Sequence, residues 1–400
     1  MGGDDIVRIG NIQLFQPANT STKDDMSKYG FITPILLKSG LNPTVGLLRI
    51  LRSLIPENLW VLEVSAETSL CNAVGKNYLP GYHKVTRHVP GRNGMTRVLN
   101  YIRTESRVAI NIALLSTEVK IWVFYGEHSP LPMITARLLG KTIILDPVAN
   151  PVKILEKVAS RYRYVGYAMS RINFMLSHRI VLYSPRLIDE WSLEKHRHKV
   201  RIAHEHFFDF NNFTVTTPLI NRPPLIGYIG RLSEEKGIWN FTQALPIILG
   251  RQKDLRVLIG GDGQLKEAIE TSLQDNGSSV RVDLTGWISH DDLPGYLNQL
   301  RLLVLPSHTE GLPTIILEAM ACGTPVLTTA VGAIPDVIVD GETGFVMENN
   351  SPECIAANVA RVLCSPELEQ IAENGRRFVE ENFTFEKAGE NWRRILADVR

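Results

Sequence analysis

The sequence predicts an α/β protein of two domains, each a doubly wound parallel sheet. Three observations carry that reading. Short apolar runs of strand length alternate with helical patterns from residue 31 onward, as in βα units that stack into parallel sheets. The alternation breaks at 207–224, where Asn, Thr and three prolines accumulate, and resumes at Leu225. The length, 400 residues at 44% hydrophobic and 21% charged, supplies apolar material for two cores.

Taken in order, residues 1–28 are polar and read as a flexible lead-in. Residues 31–37 (Phe-Ile-Thr-Pro-Ile-Leu-Leu) read as the first strand, although Pro34 lacks the amide that a central strand needs. Ser39-Gly40 makes the turn after it, and Asn42 caps a helix that opens on Pro43 and runs to Leu54. Further strands are expected at 59–64, 120–125, 142–145 and 179–183, with a helix at 131–139. The N-terminal domain is therefore 29–210. The hinge falls at 207–224, and the second βα series fills 211–383. A last helix, 385–399, puts Trp392 and Ile395-Leu396 on one side.

Composition excludes several classes. A formal net charge of +1 implies no global attraction to nucleic acid. The four cysteines (Cys71, Cys322, Cys354, Cys364) lack metal-ligand spacing and fit a reducing cytoplasm. Asp4 and Asp5, with no long apolar core behind them, argue against a signal peptide. No run of about 18 apolar residues is present, which argues against a membrane span. Residues 153–201 hold eleven Lys/Arg against four Asp/Glu, with Tyr162, Tyr164, Tyr167 and Phe174 interleaved. That mixture suits peripheral contact with anionic headgroups at the inner membrane face, and equally a solvated helix face over buried aromatics.

The chemistry concentrates in the second half. Residues 302–306 (Leu-Leu-Val-Leu-Pro) read as a strand, followed by Glu310-Gly-Leu-Pro-Thr-Ile-Ile-Leu-Glu318. Pro313 suits the first position of a helix from Thr314 to Cys322, where no amide donor is needed. The free N–H groups at such a helix start suit an anion or a hydroxyl. Glu310 sits in the loop, and Glu318 lies on the helix about 7 Å further along its axis. A carboxylate there can accept two hydrogen bonds from a vicinal diol such as a ribose. Upstream, Arg231 and Lys236 put two cations at another strand-to-helix turn, where a diphosphate would sit. A third strand, 257–260, ends in the glycine turn that includes Gly263. Ligands of open α/β sheets sit beyond such strand ends, so the layout is that of a nucleotide-sugar site.

These residues resemble the retaining glycosyltransferases of family 4. The resemblance rests on Arg231…Lys236, Gly260-Gly-Asp-Gly263, Gly286-Trp-Ile288, Pro306-Ser307…Glu310-Gly311, Glu318-Ala-Met-Ala-Cys-Gly323, Gly332-Ala-Ile-Pro-Asp336 and Asp340-Gly-Glu-Thr-Gly344, in the family's order and spacing. It is close over 220–385 and loose over 30–215. It implies the GT-B fold, two Rossmann-like domains facing across a cleft, with the closing helices crossing back to the first domain. It also implies metal-independent, retaining transfer of a hexose-type sugar from a nucleoside diphosphate donor to a hydroxyl of a glycan, lipid-linked or small-molecule acceptor. No cofactor beyond the donor and no nucleic-acid partner is implied.

Carried onto this chain, the resemblance assigns Arg231 and Lys236 to the diphosphate and Glu310 to the donor-sugar hydroxyls. Gly311, Leu312 and Pro313 would lie against the sugar and phosphates. Glu318 would take the ribose. Gly263, Trp287 and Ile288 would border the base, although Trp287 could instead pack internally. On the N-terminal domain, Gly40 would bring a backbone amide to the distal phosphate, and His128 would orient the sugar or the acceptor. Relatives carry a histidine near the position of Asp146, and Pro-Asn-Gly where this chain has His204-Glu-His206. The latter reads as a strand end lining the cleft or, as a His-x-His pair, as half of a metal site lacking further ligands. A sugar-nucleotide epimerase or hydrolase, or a non-catalytic partner subunit, could use the same architecture.

Overall fold

The structure, a computed structural model, describes residues 28–36, 41–75, 79, 82–126, 130–147, 163–204, 206–208 and 210–399. In the first half the order is β1 (Lys28–Leu36), α1 (Leu41–Leu54), β2 (Leu59–Ser65), α2 (Leu70–Val74), β3 (Tyr82–Arg87), α3 (Gly94–Leu114), β4 (Val119–Tyr125), α4 (Pro130–Leu138), β5 (Thr142–Asp146), α5 (Arg163–Leu176), β6 (Arg179–Leu182), α6 (Leu187–Glu190) and β7 (Val200–Ile202). The second half runs β8 (Leu225–Ile229), α7 (Ile238–Arg251), β9 (Arg256–Gly260), α8 (Lys266–Asp275), β10 (Val282–Gly286), α9 (Leu293–Leu297), β11 (Leu302–Leu305), α10 (Thr314–Ala321), β12 (Val326–Thr329), β13 (Phe345–Met347), α11 (Pro352–Leu363), α12 (Leu368–Asn382) and α13 (Phe385–Ala397). Two compact units result. One is Met1–Phe207 with Phe385–Arg400, and the other is Phe208–Thr384.

The first unit holds a seven-stranded parallel sheet in the order β3-β2-β1-β4-β5-β6-β7. Strands buried on both faces read as continuous apolar runs, and β4 (Val-Lys-Ile-Trp-Val-Phe-Tyr) is the clearest case. Pro34 sits in β1, a central strand. The ladder to β2 shifts register between Ile32 and Ile35, and the Val64 amide donates to the Thr33 hydroxyl at 2.9 Å instead. A local irregularity thus absorbs the missing amide. One face packs on α1 and α13, the other on α3, α4 and α5. Helix α1 begins at Leu41, two residues before the expected start. Several elements of this unit are not individually named from the sequence, namely β3, β7, α2, α3, α5 and α6, and β3 and α3 show why. The edge strand β3 (Tyr-His-Lys-Val-Thr-Arg) is largely polar, and α3 carries apolar residues on its buried and exposed sides alike, which blurs the helical period.

Trp392 of α13 is fully buried against the α1 face of this sheet, among Leu48, Leu51 and Ile395. Arg179 and Arg201 fasten the end of the chain by pairing with Asp398 at 2.6 and 2.5 Å. Trp392→Ala should destabilise this unit by about 3–5 kcal/mol, the usual cost of emptying so large a site. A thermal melt of the variant checks this; an unshifted transition would mean that α13 is only loosely held.

The second unit holds a six-stranded parallel sheet in the order β10-β9-β8-β11-β12-β13 around one apolar cluster. Its core strands are short and mostly apolar, β11 (Leu-Leu-Val-Leu) wholly so. Residues of the expected hinge belong to this unit: Phe213 is buried in its core, and the Thr216 amide donates to Asn298 Oδ1 at 2.8 Å. Gly237 ends the short 3-10 turn Glu234–Lys236 in the left-handed region (φ 67°), and a Cβ there would lie 1.9 Å from the Pro306 carbonyl oxygen. Gly237→Ala combines left-handed strain with a backbone clash, and should cost about 2 kcal/mol or more. Chemical denaturation reads it, and a shift below about 0.5 kcal/mol would contradict that geometry.

Candidate functional site

In the second sheet the strand order reverses between β8 and β11, which are direct neighbours (Leu302 beside Ile226, Leu303 beside Gly227). At such a switch point the two outgoing loops diverge and leave a crevice beyond the carboxyl ends. The loop after β8 delivers Arg231 and Lys236. The loop after β11 delivers Ser307 and Glu310. The Lys236 ammonium donates to both carboxylate oxygens of Glu310, at 2.8 and 2.7 Å, and the Ser307 hydroxyl donates to Oε1 at 2.7 Å. The Glu310 side chain is only 7% exposed and that of Lys236 24%, so this is a partly desolvated ion pair. Low solvent access strengthens it relative to a surface pair. Arg231 reaches outward, 60% exposed, with Nη1 3.5 Å from Glu235 Oε1. Its carbonyl is fixed by the buried Tyr228 hydroxyl at 2.7 Å. Burial, then the neighbouring Glu310 and Glu235, raise the Tyr228 pKa, so the phenol stays a neutral donor.

Glu318 lies in α10 with its side chain 7% exposed. His290, from the loop after β10, places Nε2 3.3 Å from Glu318 Oε1. That hydrogen bond is the main cause of a raised His290 pKa and outweighs the opposing effect of burial; Asp291 adds to it. The Phe213 ring packs edge-on against His290, 5.2 Å between centroids. Pro313 immediately precedes the helix rather than opening it, with extended backbone (φ −69°, ψ 122°). The Gly311 carbonyl accepts from the Ala333 amide at 2.9 Å, and Leu312 packs on the core cluster. The loops after β8 and β9 zip together: Leu232 donates to the Asp262 carbonyl at 2.9 Å, and Leu265 donates back to Leu232 at 3.0 Å. Gly263 lies under that contact, where a Cβ would come within 2.4 Å of the Leu232 oxygen. Ile288 packs on the core, whereas Trp287 is 72% exposed, so internal packing is not its role.

Helix α10 is anchored from its far end. The buried Arg222 guanidinium donates to the carbonyls of Cys322 (2.7 Å) and Leu300 (2.9 Å) and to the Thr324 hydroxyl (2.7 Å). Burial lowers its pKa to about 10. The Cys322 thiol next to it is pushed up to about 12 by burial, which removes it as a nucleophile at neutral pH.

Arg231, Lys236 and Glu310 lie in the segments that follow strands of the second unit, as do Gly263, Trp287, Ile288 and the stretch Gly311, Leu312, Pro313, and Glu318 lies midway along α10. His290 and Ser307 are contacts that sequence reasoning gave no role. A polar pair two residues beyond Gly286-Trp-Ile288 was the available signal for the first, and the Ser307 to Glu310 spacing for the second. On the first unit, Gly40 and His128 lie outside the described residues. Asp146 ends β5 and is buried. His204 Nδ1 lies 3.1 Å from the His206 carbonyl oxygen. Among the described residues no group of three or more His, Cys, Asp and Glu is placed to hold a metal ion. Of the basic stretch 153–201, only 163–201 is described, and several of its cations are engaged internally: Arg179 and Arg201 with Asp398, Lys199 with the Met175 carbonyl at 3.0 Å, and Arg171 with the Ser192 carbonyl at 2.6 Å. No helix among the described residues is long and apolar enough to cross a membrane.

The chain is similar to known proteins in the sequence of its second half and in its fold. Over 177 residues the chain is 32% identical to an alpha-D-kanosaminyltransferase of Streptomyces kanamyceticus, covering 44% of this chain and 46% of that one. Over 171 residues it is 33% identical to the capsular polysaccharide biosynthesis glycosyltransferase CapM of Staphylococcus aureus, covering 42% and 44%. Each match therefore spans less than half of the relative's own length. In three dimensions the chain is similar to Anabaena Alr3699/HepE crystallised with UDP, with a TM-score of 0.73 at 15% identity over 93% of this chain and all of the other. The fold is GT-B, two parallel-sheet α/β domains of seven and six strands. Residues 211–378, with Arg231, Lys236, Glu310 and Glu318 among them, match the family model described as glycosyl transferases group 1.

Proposed function

We propose that this chain is a retaining glycosyltransferase of family 4, moving a hexose-type sugar from a nucleoside-diphosphate-sugar donor to a hydroxyl of a glycan, lipid-linked or small-molecule acceptor. The observation that carries it is the Lys236–Glu310–Ser307 cluster beside Arg231 at the strand-order switch, with the desolvated Glu318 carboxylate beyond it. The HepE likeness, in complex with UDP, supports a nucleotide in such a fold.

In this reading the donor's diphosphate lies against Arg231 and Lys236. As the bond from the anomeric carbon to the phosphate oxygen breaks, negative charge grows there, and the two cations stabilise it. The amides of Gly311 and Leu312 face the sugar and phosphates, and Glu310, already oriented by Lys236 and Ser307, accepts from sugar hydroxyls. Glu318 accepts from the ribose diol with Oε2, while His290 occupies Oε1. Gly263, Trp287 and Ile288 border the base. The acceptor hydroxyl attacks on the face from which phosphate departs, and its proton passes to the leaving phosphate, so configuration is retained without a covalent enzyme adduct. Arg231 and Lys236 take the charge-balancing part that a metal ion plays elsewhere. Gly40 and His128 of the first unit are assigned to the distal phosphate and to the sugar or acceptor.

The test is a panel of nucleotide sugars incubated with hydroxyl acceptors, followed by NMR of the anomeric centre. The expected result is donor consumption that depends on an acceptor, with a product of unchanged anomeric configuration. Consumption without any acceptor would assign the chain to the epimerase or hydrolase class. An inverted product, or a glycosyl-enzyme adduct detected by mass spectrometry, would overturn the mechanism.

A further inference from the structure

The first unit exposes an apolar surface that its described residues leave uncovered. Helix α3 buries Glu105, Val108 and Ile112 against the sheet. In its first half Met95, Val98, Leu99 and Ile102, spaced by three and four residues, stand in solvent; Met95 is 76% exposed and Leu99 58%. Val89, in the loop between β3 and α3, adds to them at 57%. That loop is bound to the helix: Asn100 donates to the Val89 carbonyl at 2.9 Å, and Arg97 donates to the Gly91 carbonyl at 3.2 Å. Loop and helix therefore present one continuous face.

The face is strongly cationic. Residues 84–107 contain six Lys/Arg and a single acid, Glu105, which is 1% exposed. Arg87, Arg92, Arg103 and Arg107 are exposed, and none makes an ion pair among the described residues. An aliphatic centre flanked by unneutralised arginines is the composition that lies in a lipid interface, apolar groups below the headgroups and guanidiniums at phosphate level. The arginines decide among occupants. A second copy of the chain would bring like charges face to face. A nucleic acid would find phosphate partners at the edge but only aliphatic side chains exposed in the middle; the rings of the segment, His88 and Tyr101, are half-buried.

The geometry points to this surface, the loop before α3 and the first four turns of that helix, as a docking site for an anionic phospholipid bilayer. It is a different surface from the basic stretch 153–201, several of whose cations are spent on internal partners. It is also independent of how the second unit's site is read. Contact is peripheral: the face lies on the membrane.

The test uses the full chain and sedimentation with large vesicles of phosphatidylcholine alone or doped with phosphatidylglycerol. Wild-type protein is expected to partition onto the anionic vesicles, and to be released by high salt. The triple variant Arg92→Gln/Arg103→Gln/Arg107→Gln should lower the partition coefficient about a hundredfold, at about fivefold per arginine. Leu99→Asp/Ile102→Asp should abolish binding at unchanged arginine content. All five positions are exposed, so both variants should melt like wild type. Failure of wild type to bind anionic vesicles, equal binding to neutral ones, or unchanged binding in both variants would overturn the proposal. So would a wild-type dimer that Leu99→Asp/Ile102→Asp dissociates, which would make the face a self-interface.

Discussion

Lys236→Ala is expected to lower turnover of a nucleotide-sugar donor by about a hundred- to a thousandfold, the usual consequence of removing one group aimed at developing charge. The same substitution carries a second cost. It leaves the Glu310 carboxylate, only 7% exposed, with the Ser307 hydroxyl but no cation. An uncompensated, mostly buried charge is destabilising, here by about 1–3 kcal/mol. The two effects separate in a double variant. Lys236→Ala/Glu310→Gln should recover much of the melting temperature, because the orphaned charge is gone, and none of the turnover, because the diphosphate still lacks its lysine. Recovery of both would mean that Lys236 serves only to hold Glu310 in place. Near-normal kinetics in the single variant would remove Lys236 from the chemistry altogether.

Glu318→Ala carries the second large effect, on affinity rather than rate. Two hydrogen bonds from ribose hydroxyls to a carboxylate are worth about 1.5–3 kcal/mol each, so nucleoside diphosphate binding should weaken about a hundredfold or more. The ribose contact is the same in ground and transition states, so kcat at saturating donor should change little. The variant has an internal control in His290. Its raised pKa depends first on the hydrogen bond to Glu318, with burial acting against it. Without the carboxylate only the lowering influence of burial and the weaker pull of Asp291 remain, so His290 should titrate at lower pH. An NMR titration that shows His290 unmoved would mean that the contact does not persist in solution, and unchanged nucleotide affinity would mean that Glu318 does not face the ribose.

The second unit was the more legible half, for a physical reason. Its core strands are buried on both faces and read as uninterrupted apolar runs, so the loops that follow them, and the charged residues in those loops, stand out against the background. Sequence order also hides little there: Arg231 and Glu310 leave adjacent strands, and each is close to its own strand end. What could not be read was contact between loops of strands that are not neighbours. His290 follows the edge strand β10, whereas Glu318 follows β11, and α9 packed beside α10 brings them together. No periodicity encodes that meeting.

The first unit was less legible because its pattern is mixed. Pro34 argued against a central strand, and the structure accommodates it through a register shift and the Thr33 hydroxyl. Helix α3 has apolar residues on both sides, so the period that marks an amphipathic helix is lost; the excess apolar side is the face inferred here to meet a membrane. Trp392 showed the reverse, since one-sided apolar spacing at the end of the chain was read as a helix and the structure buries that side against α1.

The central claim is that the loops after β8 and β11, with α10, form a nucleoside diphosphate site. Calorimetric titration of the purified chain with a panel of nucleoside diphosphates and their sugars, alongside Glu318→Ala, tests it most directly. The account predicts saturable binding of one base in preference to the others, weakened about a hundredfold in the variant. No heat with any nucleotide, or binding that is indifferent to Glu318, would contradict it.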